Sequence, residues 1–181
     1  MNATPPFRPL VFVLHVVNVS VLVGLAVRCY TSWDRLPAMV PIHFNSDGVP
    51  NRWTEKGPEF GILFFIPWFV TLLLYGMRAG MGYFARRPEL TNLPSQLRGL
   101  PPERVAPLFD AVRDLLLAAA TAANLAVGGA VYGTLEVALG KRERMPSWTL
   151  KPGLVLLAAV VILGGVRLLW VTSRITREAR S

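Results

Sequence analysis

The residue types able to do chemistry are gathered between Leu36 and Gly57, in the run LPAMVPIHFNSDGVPNRWTEKG. One imidazole, His43, stands close in sequence to the oxygens of Asn45, Asp47 and Glu55. Such a set can offer a cation one nitrogen and several oxygens, or a general base in which Asp47 orients His43. Neither arrangement has a second histidine or a recognised ligand spacing. The plainer reading gives Asn45 and Asp47 to a tight turn ending at Gly48, whose backbone their side chains bond. It packs Phe44 and Trp53 on helix ends and sets His43 against a nearby carbonyl. A third reading makes Pro41, His43, Phe44, Asn45, Asp47, Gly48, Asn51, Trp53 and Lys56 a contact surface for a ligand or peptide. Elsewhere the chain has no zinc-protease motif, phosphate-binding glycine loop or nucleophile elbow. No catalytic residue, metal or cofactor is therefore expected, and the protein is expected not to be an enzyme. With Cys29 as the sole cysteine, no intramolecular disulfide and no paired-cysteine zinc site can form.

What must position these residues is apolar. Of 181 residues 52% are hydrophobic and 17% charged, with a mean hydropathy of +0.43, too greasy for a water-soluble domain of this size. The net charge of +8 sits in gaps between long apolar runs rather than on one face, which argues against nucleic acid as a partner and for a lipid bilayer. A spanning helix needs about 20 mostly apolar residues. Four runs qualify: about Leu10 to Arg28, Phe60 to Met81, Leu115 to Leu139 and Leu154 to Val171. Lipid offers no partner for backbone groups, so all four are helices. The fold expected is an all-α integral membrane protein, four transmembrane helices in a bundle with a structured extracytoplasmic loop between the first two. Pro67 predicts a kink near Leu63. The first run is read as a permanent span, because its apolar stretch is long for a signal core and no small-x-small site follows; a lipoprotein is not expected, because Arg28 sits directly before Cys29 where a small residue would stand.

Basic residues set the orientation. Eleven arginines fall on the side holding the N-terminus, the second loop and the tail (Arg180 among them), against eight Lys and Arg on the other side. Both termini are expected in the cytoplasm and the loop from Tyr30 to Glu59 outside. Between Pro88 and Pro102 prolines break the chain into a loop. From Glu103 to Leu116 apolar residues recur at helical spacing, predicting either a separate interfacial helix or the wet end of a tilted third span.

Within the spans, small residues that let helices approach are the pairs Gly76/Gly80 and Gly129/Gly133, with Ala118, Ala122 and Ala126 along the third helix and Gly164 and Gly165 on the fourth. His15 and Asn18 share a face of the first helix. Asn124 lies mid-depth in the third, one turn after Thr121. Read as packing groups, these polar residues hydrogen-bond between helices; read functionally, they form a polar pathway. Glu136 and Arg167 are near enough to helix ends to snorkel. No row of carboxylates runs through the bilayer, which argues against a proton-coupled pump.

The run Leu36-Pro37, Pro41, His43-Phe44-Asn45, Gly48, Pro50-Asn51, Trp53 and Lys56-Gly57 resembles the signature of DUF1648, a small bacterial membrane domain also found at the N-terminus of the SdpI family of immunity proteins. The resemblance covers about residues 10 to 75. The SdpI family's C-terminal signature is not found after Pro88, and DUF1648 brings no assigned chemistry. The organisation expected is a DUF1648-like unit over residues 1–81, a cytoplasmic loop and interfacial helix over 82–114, and helices three and four with a basic tail over 115–181. The function expected is that of a non-enzymatic bacterial membrane protein of the DUF1648 type, in the cytoplasmic membrane, recognising an extracellular peptide or envelope component in an immunity or signalling role. An accessory subunit of a transporter or other membrane complex, or a homo-oligomer, is the alternative.

Overall fold

Four runs of the chain wind into helices long and apolar enough to cross a bilayer in the computed structural model, which describes residues 8–179. They are α1 (Pro9–Ser32), α2 (Pro58–Arg86), α3 (Pro102–Ala138) and α4 (Ser147–Glu178). Arg180 of the basic tail lies outside the described residues. Prolines start α1, α2 and α3 at the position where a missing N–H costs nothing. At the end of α3, Gly140 takes φ +66 and lets Lys141 N–H reach the Glu136 carbonyl at 3.0 Å, closing the helix with a left-handed residue.

The third helix is longer than the sequence reading drew it. The amphipathic stretch from Glu103 is not a separate interfacial element: α3 is one helix of 37 residues, roughly 55 Å long, well beyond what the bilayer core requires. Pro107 lies inside the helix, in its second turn, and its missing N–H removes the ladder bond to the Glu103 carbonyl. The amphipathic end is held because Val105, Phe109 and Ala111 are buried against Leu93 and Leu97 of the preceding loop and Val171 and Ile175 of α4.

Between α1 and α2 the chain forms a short 3₁₀ turn (Trp33–Arg35) and then an antiparallel β-hairpin, β1 (Met39–Phe44) paired with β2 (Pro50–Glu55). The hairpin is the one element the sequence reading lacked. Pro41 and Pro50 read there as loop markers; in the structure Pro41 sits inside β1 opposite Trp53, and Pro50 opens β2 opposite Phe44. The pairing is irregular around His43, where the register shifts on both sides.

Helix α3 is the axis of the molecule and packs on each of the other three, whereas α1 and α2 touch sparsely and α1 and α4 make no substantial contact. Two apolar clusters tie the ends. At the hairpin end Cys29, Leu36, Val40, Phe60, Val131, Leu135 and Ala138 pack together; at the other end lies the cluster around Val105 and Phe109.

The closest approach is between α3 and α4. A Cβ at Gly129 would stand 1.6 Å from the Thr149 carbonyl oxygen, and one at Gly153 would stand 2.4 Å from the Ala126 Cα. Gly133 similarly faces Thr149 and Met145. The pair Gly76/Gly80 does not share this role: no neighbouring element comes within 4 Å of either, so these glycines notch a face of α2 that the chain leaves open. Gly165 is open as well, while Gly164 seats Leu115.

Candidate recognition surface on the hairpin

The hairpin rests across one end of the bundle because its inner side chains are apolar. Val40 and Pro41 are buried, and Leu36 just before them joins the same core. The helix ends beneath are capped by Trp33, Phe60 and Phe64, whose rings meet at centroid distances of 5.2 to 6.4 Å. This aromatic cap replaces the one expected from Phe44 and Trp53; Trp53 is 48% exposed. Trp33, Phe60 and Phe64 flank the loop in sequence, but only the packing of the helix ends sets their rings rather than those of Phe44 and Trp53 against one another.

Three sets of bonds fix the hairpin. At the tip, Asn45 Oδ1 accepts from the backbone N–H of Asp47 at 3.0 Å and of Val49 at 2.9 Å, and Gly48 turns the chain at φ +77. Asn45 thus holds the turn as expected. The Asp47 carboxylate makes no bond to the turn; only its backbone N–H takes part. The tip is also pinned from outside, because Met145 N–H in the α3–α4 connection donates to the Gly48 carbonyl at 2.7 Å. At the base, Lys56 N–H donates to the Ala38 carbonyl at 2.7 Å. The Lys56 ammonium reaches the Trp33 and Leu36 carbonyls at 3.4 Å rather than a lipid phosphate.

His43 is oriented by Asn51 and not by Asp47: His43 Nδ1 lies 2.6 Å from Asn51 Oδ1 across the strands, which makes the imidazole the donor there. Asp47 and Glu55 are not assembled with it. Among the described residues no group of three His, Cys, Asp or Glu side chains comes together as a cation site would need. On the two strands Met39, His43, Asn51, Arg52, Trp53 and Glu55 are exposed, with His43 paired opposite Arg52 and Met39 opposite Glu55; the set offers an indole, a guanidinium, an imidazole, an amide and a carboxylate. Arg and Trp are the side chains that dominate protein interfaces, the one through forked donors and the other through large rigid area.

Below the hairpin the polar groups of the spans meet. Asn124 donates to Asn18 Oδ1 at 2.8 Å and to Thr71 Oγ1 at 2.6 Å, and Asn18 donates to Thr121 Oγ1 at 2.7 Å. His15 Nδ1 lies 2.7 Å from the Tyr75 hydroxyl. Three helices are thereby bonded at mid-depth, the packing role weighed for these residues; Thr71 and Tyr75 complete it. Glu136 and Arg167, near enough to helix ends to snorkel, are each held in an ion pair. Glu136 bonds Arg28 of α1 and lies 3.5 Å from Lys141, and Arg167 lies 2.9 Å from Asp114.

A bundle of four spanning helices, closed at one end by a hairpin, defines a multi-pass helical membrane protein. Within it, residues 20–69 match the family model described as Domain of unknown function (DUF1648), so the chain carries a DUF1648 domain made of the second half of α1, the hairpin and the first part of α2. No curated protein and no solved structure matches the chain.

Proposed function

We propose that this is a non-enzymatic protein of the bacterial cytoplasmic membrane whose hairpin faces outward and recognises an extracellular peptide or envelope component, in an immunity or signalling role. The observation that carries this reading is a hairpin held at tip and base while Asn51, Arg52 and Trp53 stay exposed between the two anchors. A surface fixed before its ligand arrives spends little ordering entropy on binding. The test is survival of a sensitive bacterium expressing the protein, challenged with a panel of membrane-active peptides and toxins. Protection by the intact chain, lost in Trp53→Ala and His43→Ala at equal membrane abundance, supports the reading. Full protection by both variants, or none by the intact protein, removes it.

A second reading, an accessory subunit of a membrane complex, is favoured by Gly76 and Gly80, which no neighbouring helix of the chain approaches. Gly76→Leu with Gly80→Leu is expected to dissociate such a complex in mild detergent without unfolding the chain. Gly129 and Gly133 cannot serve for this test, because they are occupied by α4.

A further inference from the structure

We infer that the cleft between α1, α3 and α4 at the end away from the hairpin is a binding site for one anionic phospholipid, its phosphate on Arg8 and Arg167 and an acyl chain along the groove. The cleft exists because α1 and α4 each lie on α3 without substantially meeting each other. It encloses about 630 Å³ and is lined by Leu10, Leu14, Ala118, Val160 and Leu163 among others, an apolar floor. Leu10 and Leu163 are 70% and 68% exposed at its rim, so the groove opens sideways, toward acyl chains. Its depth depends on small residues: Gly164 brings α4 against Leu115, and Ala118 leaves room one turn further along α3.

The mouth is polar and cationic. Arg8 Nη2 and Arg167 Nη2 lie 2.6 Å and 2.9 Å from the same oxygen of Asp114, Oδ2. Asp114 Oδ1 is buried with no protein partner, and so is Arg113 Nε. Behind them Arg78 donates to the Arg113 carbonyl at 2.8 Å, and Arg113 lies 3.5 Å from Asp110. Four guanidinium groups (Arg8, Arg78, Arg113, Arg167) and two carboxylates (Asp110, Asp114) thus stand around this mouth, an excess of two positive charges. Asp114 keeps Arg8 firmly charged, chiefly through their hydrogen bond, raising an already high pKa. Arg8 and Arg167 are each about half exposed, with donors to spare, and two converging guanidinium forks suit the oxygens of a phosphodiester. An apolar groove with a cationic mouth is complementary to a lipid that carries both an acyl chain and an anionic headgroup.

The test is retention of phosphatidylglycerol against phosphatidylcholine by the whole purified protein, read by native mass spectrometry after extraction in mild detergent. At least a tenfold preference for phosphatidylglycerol is expected. It is expected to fall to near equality in the Arg8→Gln, Arg167→Gln double variant and to persist in Arg174→Gln, Arg177→Gln, a control pair outside the cleft. Ala118→Phe, which fills the groove and spares the arginines, is expected to reduce the retention as well. Equal retention of the two lipids by the intact protein overturns the inference. So does an equal loss in the control pair, which would show only diffuse surface charge. Thermal stabilisation by inorganic phosphate equal to that by phosphatidylglycerol would assign the arginines to a free anion, and a lipid preference arising only after deletion of residues 2–7 would assign the groove to the chain's own N-terminus; either result overturns it. Survival in the peptide challenge is a separate readout, so this site and the hairpin reading can fail independently.

Discussion

At the residue scale, Asn124 does the work that an apolar side chain cannot. Both of its amide hydrogens are committed, one to Asn18 of α1 and one to Thr71 of α2, so a single side chain on α3 ties two neighbours at mid-depth. Such bonds inside membranes contribute modestly, on average about 0.6 and at most about 1.7 kcal/mol each. Asn124→Leu is expected to destabilise the protein by about 1–2 kcal/mol in reversible unfolding in mixed micelles, because it leaves the buried Asn18 side-chain carbonyl without its donor and breaks the tie to Thr71 of α2; an unchanged midpoint would show the network to be energetically idle. Asn18, Thr121 and Asn124 were legible in the sequence, since an amide in an apolar run must find a partner. Thr71 was not: a threonine can satisfy itself on its own helix, as its bond to the Pro67 carbonyl at 2.9 Å shows, and so leaves little trace. The partner of His43 was likewise hidden, because the pairing across β1 and β2 that brings Asn51 opposite is a tertiary fact.

At the element scale, the spans were readable because length and hydropathy alone determine them, and the α3–α4 contact was readable in part from Gly129 and Gly133. Gly153 and Ala126 escaped, being ordinary small residues until the two helices are placed against each other. The contact predicts a sharp contrast. Gly129→Ala puts a methyl group onto the Thr149 carbonyl and is expected to cost about 3 kcal/mol. Gly165→Ala meets nothing and is expected to leave stability unchanged or to raise it by up to about 1 kcal/mol through helix propensity. Thermal unfolding in detergent measures both, and equal effects would mean that α4 docks by another face. The hairpin lay beyond the reach of periodicity, since six-residue strands broken by proline carry the same marks as turns. Of the two readings of the stretch from Glu103, the structure has the second: the amphipathic pattern is the wet end of the third span, and helicity continues through residue 114.

At the scale of the molecule, the four helices place the hairpin at one end and the start of α1 and the end of α4 at the other. The excess of basic residues around that second end predicts that it faces the cytoplasm. Cys29 is buried, so a Cys29→Ser background allows single reporters. In intact cells a membrane-impermeant maleimide is expected to label Ser46→Cys at the hairpin tip and to label Ser95→Cys in the α2–α3 loop only after lysis; the reverse pattern would invert the molecule.

Because α3 is the element on which the others meet, the chain cannot settle in the order in which it is made. When a ribosome has delivered α1, the hairpin and α2, Asn18 and Thr71 are in the membrane with their shared partner not yet synthesised, and Arg28 waits for Glu136. The segment that bears the family signature is thus not a self-sufficient folding unit in this protein. Its interval of incompleteness ends only as α3 emerges, which makes the first half of the chain a client of the insertion machinery for as long as translation takes to reach the second.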